Sequence, residues 1–319
     1  MEKFSVIDGH IDTVMRILQD GRKFYERSKE GHCDLPRMQE GHVQAALFAI
    51  FPAMTKRNIL DGLDQWFKVA SDPRNRIHQV KTIDDFSIAQ QENKIGAVLH
   101  FEGAGGIDKK FQLMRLGYQL GLRTMGLSWS NVNRYATGSM FKGDQVETGL
   151  TDKGILLMEE AQKLGITIDV SHLNDLSFWD VVKNTSKPFI ASHSNARSVC
   201  NHLRNLTDDQ IKAVHEKKGT IGINYSKGFL LENAFEKPEI EVGLDIFKKH
   251  IDHIVNLTDI NTIALGSDYD GTTVPDCLKD SSSFPILFNY LLENGYSNQD
   301  IKKLASENLL RVFKDTWKN

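Results

Sequence analysis

Short apolar runs that end in small or polar residues recur along the whole chain, and stretches with a helical repeat of apolar positions separate most of them. Eight of these runs predict strands, at 5–12, 42–51, 96–102, 122–129, 165–172, 188–194, 219–226 and 262–270. Strands that alternate with helices predict a parallel sheet. This number of units favours a closed (β/α)₈ barrel of the TIM type over the alternative, an open doubly wound sheet.

The clearest predicted helix follows Thr151, whose hydroxyl suits the amino-terminal cap. Leu157, Ala161 and Leu164 recur on one face of this helix, and Gly165 is expected to end it. The helix leads directly into the fifth predicted strand.

A second helix signal lies near the carboxyl terminus, where Ser297 precedes Asp300 by three residues and Ile301, Leu304 and Leu309 form an apolar face. We expect this helix to close the barrel. Because no linker-like segment, composition break or internal repeat divides the chain, residues 1–319 are predicted to form one catalytic barrel domain.

The formal net charge of -3 and the scattered basic residues disfavour a nucleic-acid partner. Three widely spaced cysteines argue against a disulfide framework and fit a reducing cytoplasm. No apolar run approaches the roughly 18 residues that span a bilayer, so no membrane association is expected. These features predict a soluble cytoplasmic protein.

The informative polar residues lie at the carboxyl ends of the predicted strands, which meet at one mouth of a barrel. On the first strand, alternation places His10 and Asp12 on the same face, so the pair can bind one ion. The other candidates at strand ends are Glu102, His172, His193 and Asp268.

Three imidazoles and three carboxylates favour zinc or another first-row divalent ion over calcium or magnesium. Two neighbouring ions need a bridging ligand, and Glu102 is the natural bridge because its two oxygens can each bind one metal. Such ions would make hydroxide available as the nucleophile near neutral pH. Asp268 is interpreted as the proton-transfer residue, although Asp270 competes with it and spacing alone does not separate the two.

An ordered set of motifs resembles the membrane (renal) dipeptidase family of zinc metallopeptidases, essentially from end to end. The motifs are DGHID at 8–12, FEG at 101–103, LSWSNVN at 127–133, GLTDKG at 149–154, IDVSH at 168–172, SHSNAR at 192–197, RNLTDD at 204–209, GSDYDG at 266–271 and ENLLRVF at 307–313. Each motif alone is weak, whereas the ordered set is specific.

The resemblance implies a binuclear zinc dipeptidase that cleaves small dipeptides, including those with a D-residue on the carboxyl side. One zinc would be held by His10, Asp12 and Glu102, and the second by Glu102, His172 and His193, with a bridging hydroxide or water. Asp268 would be the acid/base residue. Arg204, whose role rests on the resemblance alone, would bind the carboxylate of the substrate.

One position departs from the mammalian pattern: Trp129 stands where mammalian members carry a substrate-contacting histidine, as in many bacterial members. Its indole N–H can donate a hydrogen bond but cannot replace the acid/base chemistry of imidazole. The resemblance therefore implies a bacterial-type member in which Trp129 contacts substrate. A homodimer is a further expectation from the family.

Several alternatives stay open at this stage. Arg197 competes with Arg204 for the substrate carboxylate, and Asp169, three residues before His172, is expected to point to the opposite strand face. A related activity on another small amide or ester, such as an N-acyl amino acid, is the first rival function. The second rival is a non-catalytic metal-binding barrel.

Overall fold

The structure is a computed structural model that describes residues 3–140, 147–237 and 239–318. Within these residues, nine parallel strands form a single sheet: β1 Val6–Ile11, β2 Val43–Ile50, β3 Ile77–Gln79, β4 Ile95–Phe101, β5 Leu122–Gly126, β6 Thr167–Asp169, β7 Ile190–Ala191, β8 Thr220–Ile223 and β9 Ile263–Leu265. The helices are α1 Thr13–Asp20, α2 Leu35–Glu40, α3 Lys56–Ser71, α4 Asp84–Gln91, α5 Gln112–Gln119, α6 Asp152–Leu164, α7 Asp175–Asn184, α8 Asp208–Glu216, α9 Lys227–Leu230, α10 Leu244–Leu257, α11 Phe284–Glu293, α12 Asn298–Lys302 and α13 Asn308–Thr316.

Eight of the strands close into a (β/α)₈ barrel, as predicted. The ring runs β1, β2, β4, β5, β6, β7, β8 and β9, and β9 pairs with β1. The ring does not include β3, because β2 pairs directly with β4. Strand β3 pairs with the first residues of β4, in register Ile77 with Ile95, and lies outside the ring.

The sequence did not predict β3. Its three residues, IHQ, contain one fully apolar position and give no strand periodicity. The strand forms because β5 pairs only with the later residues of β4, so the first residues of β4 have unpaired backbone groups on that edge. This depends on the tertiary structure and not on the local sequence.

The predicted helix caps are present. The Thr151 hydroxyl accepts a hydrogen bond from the Gly154 N–H, and α6 ends at Gly165, which adopts a left-handed conformation with φ of 95°. Ser297 and Asp300 form a reciprocal capping box at the start of α12. A π-helical turn at Lys303–Glu307 then connects α12 to α13.

The carboxyl-terminal helix α13 packs against the amino-terminal end of the barrel. Leu309 and Phe313 belong to the same buried cluster as Ile7 and Val98 from the barrel strands. The Trp317 indole N–H donates to the Thr167 hydroxyl at 3.0 Å, at the start of β6. This end of the barrel is therefore filled by apolar side chains, and the polar residues collect at the other end.

No helix in the described part of the chain combines the length and the apolar character needed to cross a membrane. The three cysteines are free thiols, and Cys33 and Cys200 are buried.

Candidate metal centre

The predicted site residues converge on the carboxyl-terminal mouth of the barrel. They do so mostly from loops, because the strands are shorter than predicted: β6 ends at Asp169, and His172 follows on a turn with φ of 72°. Asp268 likewise follows β9 with φ of 62°. His10, by contrast, lies within β1.

All of these side chains are removed from solvent, with at most 8% of the residue surface exposed. The buried set comprises His10, Asp12, Glu102, His172, His193, Arg204 and Asp268. Burial of so many ionisable groups is costly unless they pair with one another or bind ions.

Glu102 lies at the middle of the cluster, and its two oxygens face different partners. Oε1 is 2.8 Å from His172 Nε2 and 3.8 Å from His193 Nε2. Oε2 is 3.7 Å from His10 Nε2, which is itself 3.5 Å from Asp12 Oδ2. One carboxylate thus connects two groups of potential metal ligands.

Asp268 joins the cluster from β9 and forms a third group with His10 and His193, whose ligand atoms lie within 4.8 Å of one another. Its Oδ2 accepts a hydrogen bond from Asn224 Nδ2 at 3.1 Å. The Asn224 amide is itself oriented because its Oδ1 accepts from the Ser226 N–H at 2.6 Å. Among the described residues, the hydrogen bond to the Asp268 carboxylate is made at Oδ2 and not at Oδ1.

The cluster fits divalent cations of the zinc type on several structural observations. Within the described residues, both ring nitrogens of His10, Asp12 Oδ1 and Glu102 Oε2 are buried without a hydrogen bond. The Nε2 atoms of His172 and His193 face each other at 2.9 Å. Neutral imidazole nitrogens turned toward one another and toward a carboxylate form a donor set for a transition metal.

The pKa shifts of the clustered side chains are consistent with a metal-binding site. Burial, followed by the positive charge of Arg204, lowers the pKa of His172 well below its ordinary value, so this imidazole is neutral and can act as a ligand. Burial, with Asp12 nearby, raises the pKa of Glu102. Burial also lowers the pKa of His10, but Glu102 and Asp12 outweigh it and raise that pKa to about 10. Burial favours the protonated form of Glu102 and the neighbouring carboxylates favour the protonated form of His10, so divalent ions that bind these two groups would displace protons.

Serine hydroxyls hold the outer nitrogens of two of the histidines. Ser130 Oγ is 2.9 Å from His172 Nδ1, and Ser192 Oγ is 2.7 Å from His193 Nδ1. Such partners fix the orientation of a ligand imidazole. Because a serine stands at the end of many strands, sequence alone did not single these two out.

Alternation predicted that Asp169 and His172 point to opposite faces of one strand, and the structure differs from this prediction. Strand β6 ends at Asp169, so the parity argument does not extend to His172. The Asp169 carboxylate is buried inside the barrel, where Oδ1 accepts from the N–H groups of Ser171 and Ser192.

The two arginine candidates have different surroundings. Arg197 forms a two-point pair with Asp175, at 2.8 and 2.9 Å, and its guanidinium is thereby occupied. Arg204 is buried at the metal centre, with Nη2 3.2 Å from His172 Nε2 and Nε without a hydrogen bond among the described residues. Its guanidinium lies over the Phe229 ring at 5.5 Å.

Trp129 forms part of one wall of the mouth, beside His172. Its ring centroid lies 5.7 Å from that of His172 and 5.3 Å from that of Phe51. The wall on this side of the site is therefore aromatic and only partly buried.

Asp270 lies outside the three ligand groups and organises a loop instead. Its carboxylate accepts from the Thr13 hydroxyl at 2.7 Å and from the His32 N–H at 2.6 Å, and it pairs with Arg22. The next residue, Gly271, approaches the centre so closely that a Cβ built there would lie 2.0 Å from Asp12 Oδ2.

Sequence reasoning missed Asn224, although a usable signal was present. Asn224 follows directly on β8, the same kind of position that identified the other candidates. A pattern of imidazole and carboxylate ligands does not select an amide.

Comparison with known proteins supports the resemblance that the motifs indicated. The sequence profile described as membrane dipeptidase, peptidase family M19, matches residues 1–319. An uncharacterised protein from the pqqA 5′ region of Klebsiella pneumoniae is 36% identical over 236 residues, which cover 73% of this chain and 86% of that protein.

Two further relatives match nearly the whole chain. An uncharacterised dipeptidase of Schizosaccharomyces pombe is 29% identical over 337 residues, covering 98% of this chain and 80% of that protein. A metallopeptidase from Rhodobacter sphaeroides, solved with a phosphinate mimic of the dipeptide L-Ala-D-Ala, superposes with a TM-score of 0.90 at 28% identity. That match covers 99% of this chain and 100% of the other.

Proposed function

This chain belongs to the membrane dipeptidase family of metallopeptidases, and we propose that it hydrolyses small dipeptides, including those with a D-residue at the carboxyl end, at a centre of two zinc ions. The observation that carries the proposal is Glu102, whose two oxygens face two separate ligand groups. The L-Ala-D-Ala mimic bound by the R. sphaeroides metallopeptidase supports the choice of substrate.

The proposed ligands follow from the two groups. His10, Asp12 and Glu102 would hold one ion, and Glu102, His172 and His193 would hold the other. When bound, the ions would supply Lewis acidity toward the scissile carbonyl and make water a competent nucleophile near neutral pH.

Arg204 is proposed to bind the carboxylate of the substrate. A guanidinium can form two parallel hydrogen bonds to a carboxylate, and burial strengthens such a pair. Arg204 and Trp129 both lie beside His172, which supports a bound dipeptide whose carboxyl-terminal residue is on the same side as the Trp129 and Phe51 wall. This wall is proposed to contact the side chain of that residue.

Asp268 is proposed to move the proton. Burial raises the pKa of Asp268 to about 7, which is suited to both taking and returning a proton at neutral pH. The Asn224 amide holds Oδ2, so Oδ1 would accept the proton of the attacking water and deliver it to the leaving nitrogen.

A substrate panel tests the proposal on zinc-loaded protein. We expect turnover of L-Ala-L-Ala and L-Ala-D-Ala, weak turnover of N-acetyl-alanine, and close to two zinc ions per chain. Preferred hydrolysis of N-acetyl-alanine would support the rival amidohydrolase function. Metal loading without turnover of any of the three would support the non-catalytic rival.

Arg204→Ala tests the carboxylate contact, with Arg197→Ala as the matched control because Arg197 is paired with Asp175 away from the centre. Loss of a charge-assisted contact is expected to lower kcat/KM for dipeptides by about 10²-fold. The control should retain most of the activity. Equal effects of the two variants would contradict the assignment.

We propose that residues 1–319 form one catalytic domain, which one extensive hydrophobic core supports. The cytoplasmic location and the homodimer remain predictions, which fractionation and light scattering would test.

A further inference from the structure

Asp169 begins a chain of side-chain contacts, which we call the relay, that runs through Ser192 and ends on the proposed metal ligand His193. Its Oδ2 lies 2.6 Å from the Ser192 hydroxyl, which in turn lies 2.7 Å from His193 Nδ1. All three residues have at most 1% of their surface exposed, so solvent does not compete for these hydrogen bonds.

The direction of each hydrogen bond follows from counting hydrogens. A carboxylate has none to donate, so the single hydroxyl hydrogen of Ser192 goes to Asp169. The other contact of this hydroxyl, with Ser171 Oγ, is longer at 3.4 Å. Ser192 Oγ must then accept from His193, which places the imidazole hydrogen on Nδ1.

This tautomer leaves a lone pair on His193 Nε2. That atom faces His172 Nε2 at 2.9 Å and Glu102 Oε1 at 3.8 Å, which is where the second metal is proposed to bind. We propose that Asp169 is a positioning residue that acts through Ser192 to fix His193 as an Nδ1–H tautomer with Nε2 ready to bind metal. The inference rests on the proposed metal centre for its purpose, but the tautomer itself is a property of the metal-free chain.

His172 lacks an equivalent relay among the described contacts. Its Nδ1 lies 2.9 Å from Ser130 Oγ, and no carboxylate among the described residues accepts from that hydroxyl. The Ser130 hydroxyl can therefore donate to His172 or accept from it. The Ser192 hydroxyl can only accept from His193, because its hydrogen goes to Asp169. The relay makes His193 the more strictly oriented of the two histidines.

Asp169→Asn reverses the relay. The Asn oxygen can still accept from the backbone N–H groups of Ser171 and Ser192, while its NH₂ group now donates to Ser192 Oγ. The Ser192 hydrogen then turns to His193 Nδ1, and the imidazole hydrogen moves to Nε2, where it blocks metal binding. Ser192→Ala instead leaves Nδ1 without a partner and the tautomer undetermined.

The matched control is Asp85→Asn. The Asp85 carboxylate also accepts from two backbone N–H groups, those of Lys81 and Thr82, and from the Thr82 hydroxyl. Asp85 lies in the first turn of α4, where its carboxylate also contacts His78, and it shares no partner with the proposed metal centre among the described residues. If loss of a carboxylate that accepts from backbone N–H groups were itself enough to lower zinc affinity, this control would lower it too.

Two measurements test the proposal. Zinc affinity, from competition with a chelator, is expected to fall about 100-fold in Asp169→Asn and about 10-fold in Ser192→Ala, and to stay unchanged in Asp85→Asn. In ¹⁵N-histidine spectra of the metal-free protein, with His193 identified by its absence in His193→Gln, we expect Nδ1–H in the wild type and Nε2–H in Asp169→Asn.

The outcomes separate this inference from the proposed function. Wild-type zinc affinity in both relay variants, or an Nε2–H tautomer of His193 in the wild type, would overturn the role of Asp169. A wild-type chain that binds no zinc but shows Nδ1–H on His193 would refute the metal centre and leave the relay standing. If Asp169→Asn does not fold, Ser192→Ala decides the affinity question.

Discussion

Gly271→Ala is expected to inactivate the enzyme without unfolding it. A Cβ at this position would lie 2.0 Å from Asp12 Oδ2 and 2.5 Å from Asp268 Oδ1. Non-bonded Cβ contacts below 3.0 Å are essentially never seen, so the Asp12 oxygen or the loop must move by roughly 1 Å. The backbone of Gly271 is outside the left-handed region, so alanine adds no backbone strain of its own.

The magnitude follows from the geometric tolerance of catalysis. A misplacement of about 1 Å in a reacting group costs on the order of 10²-fold in rate. Because the substitution displaces a proposed ligand and the proposed proton-transfer residue together, we expect kcat/KM to fall at least about 100-fold and zinc affinity to fall as well. The melting temperature should change by only a few degrees.

The assay compares kcat/KM on L-Ala-D-Ala, zinc content and thermal melting for the wild type, Gly271→Ala and a control, Gly243→Ala. In the control, the nearest atom to the new Cβ is the flexible end of the Asp245 side chain, and the position caps α10 far from the chemistry. A Gly271→Ala enzyme with wild-type kcat/KM would show that a Cβ at this position does not displace the proposed site carboxylates Asp12 and Asp268.

Three further predictions follow from local contacts. Asn224→Ala should lower kcat about 10-fold, because Asp268 loses the hydrogen bond that orients it, and should leave zinc content unchanged; an unaltered kcat would contradict this. Burial lowers the pKa of His250 from 6.5 to about 4. The unfolded chain therefore binds more protons between these values, so His250 contributes up to about 3 kcal/mol of stability above pH 6.5 that is lost as the pH falls toward 4. Urea unfolding of the wild type and of His250→Gln at pH 7.5 and 5 should show a smaller pH effect in the variant, and identical pH effects would refute the assignment. Thr151→Ala should destabilise the protein by about 1 kcal/mol, because the Gly154 N–H loses its cap, with no change in kcat/KM; thermal melting and an unchanged kcat/KM check this together.

Local signals in the sequence predicted the framework well. The α6 caps at Thr151 and Gly165 and the capping box at Ser297 follow from side-chain chemistry within a few residues, so no tertiary information is needed to read them. The eight barrel strands also follow from local apolar runs. Strand β3 does not, because it exists only where β4 offers it an edge.

The choice between competing side chains required the tertiary structure. Asp268 and Asp270 lie two residues apart and are equivalent by alternation, yet both have positive φ values, so the chain there is not a strand. Because of this turn, the Asp268 carboxylate lies beside His10 and His193, whereas the Asp270 carboxylate accepts a hydrogen bond from the His32 N–H. Periodicity cannot describe such a turn.

The sequence by itself determined which chemical groups stand at the carboxyl ends of the strands, since strand order and barrel closure bring those ends together whatever the loops do. It did not determine how the groups face one another. The division of Glu102 between two ligand groups and the relay from Asp169 through Ser192 to His193 depend on side-chain distances of 2.6 to 3.7 Å. Only the packed barrel decides these contacts, because, apart from the neighbours Ser192 and His193, they join residues that are distant in the chain, and His172 lies on a turn whose conformation no local pattern encodes.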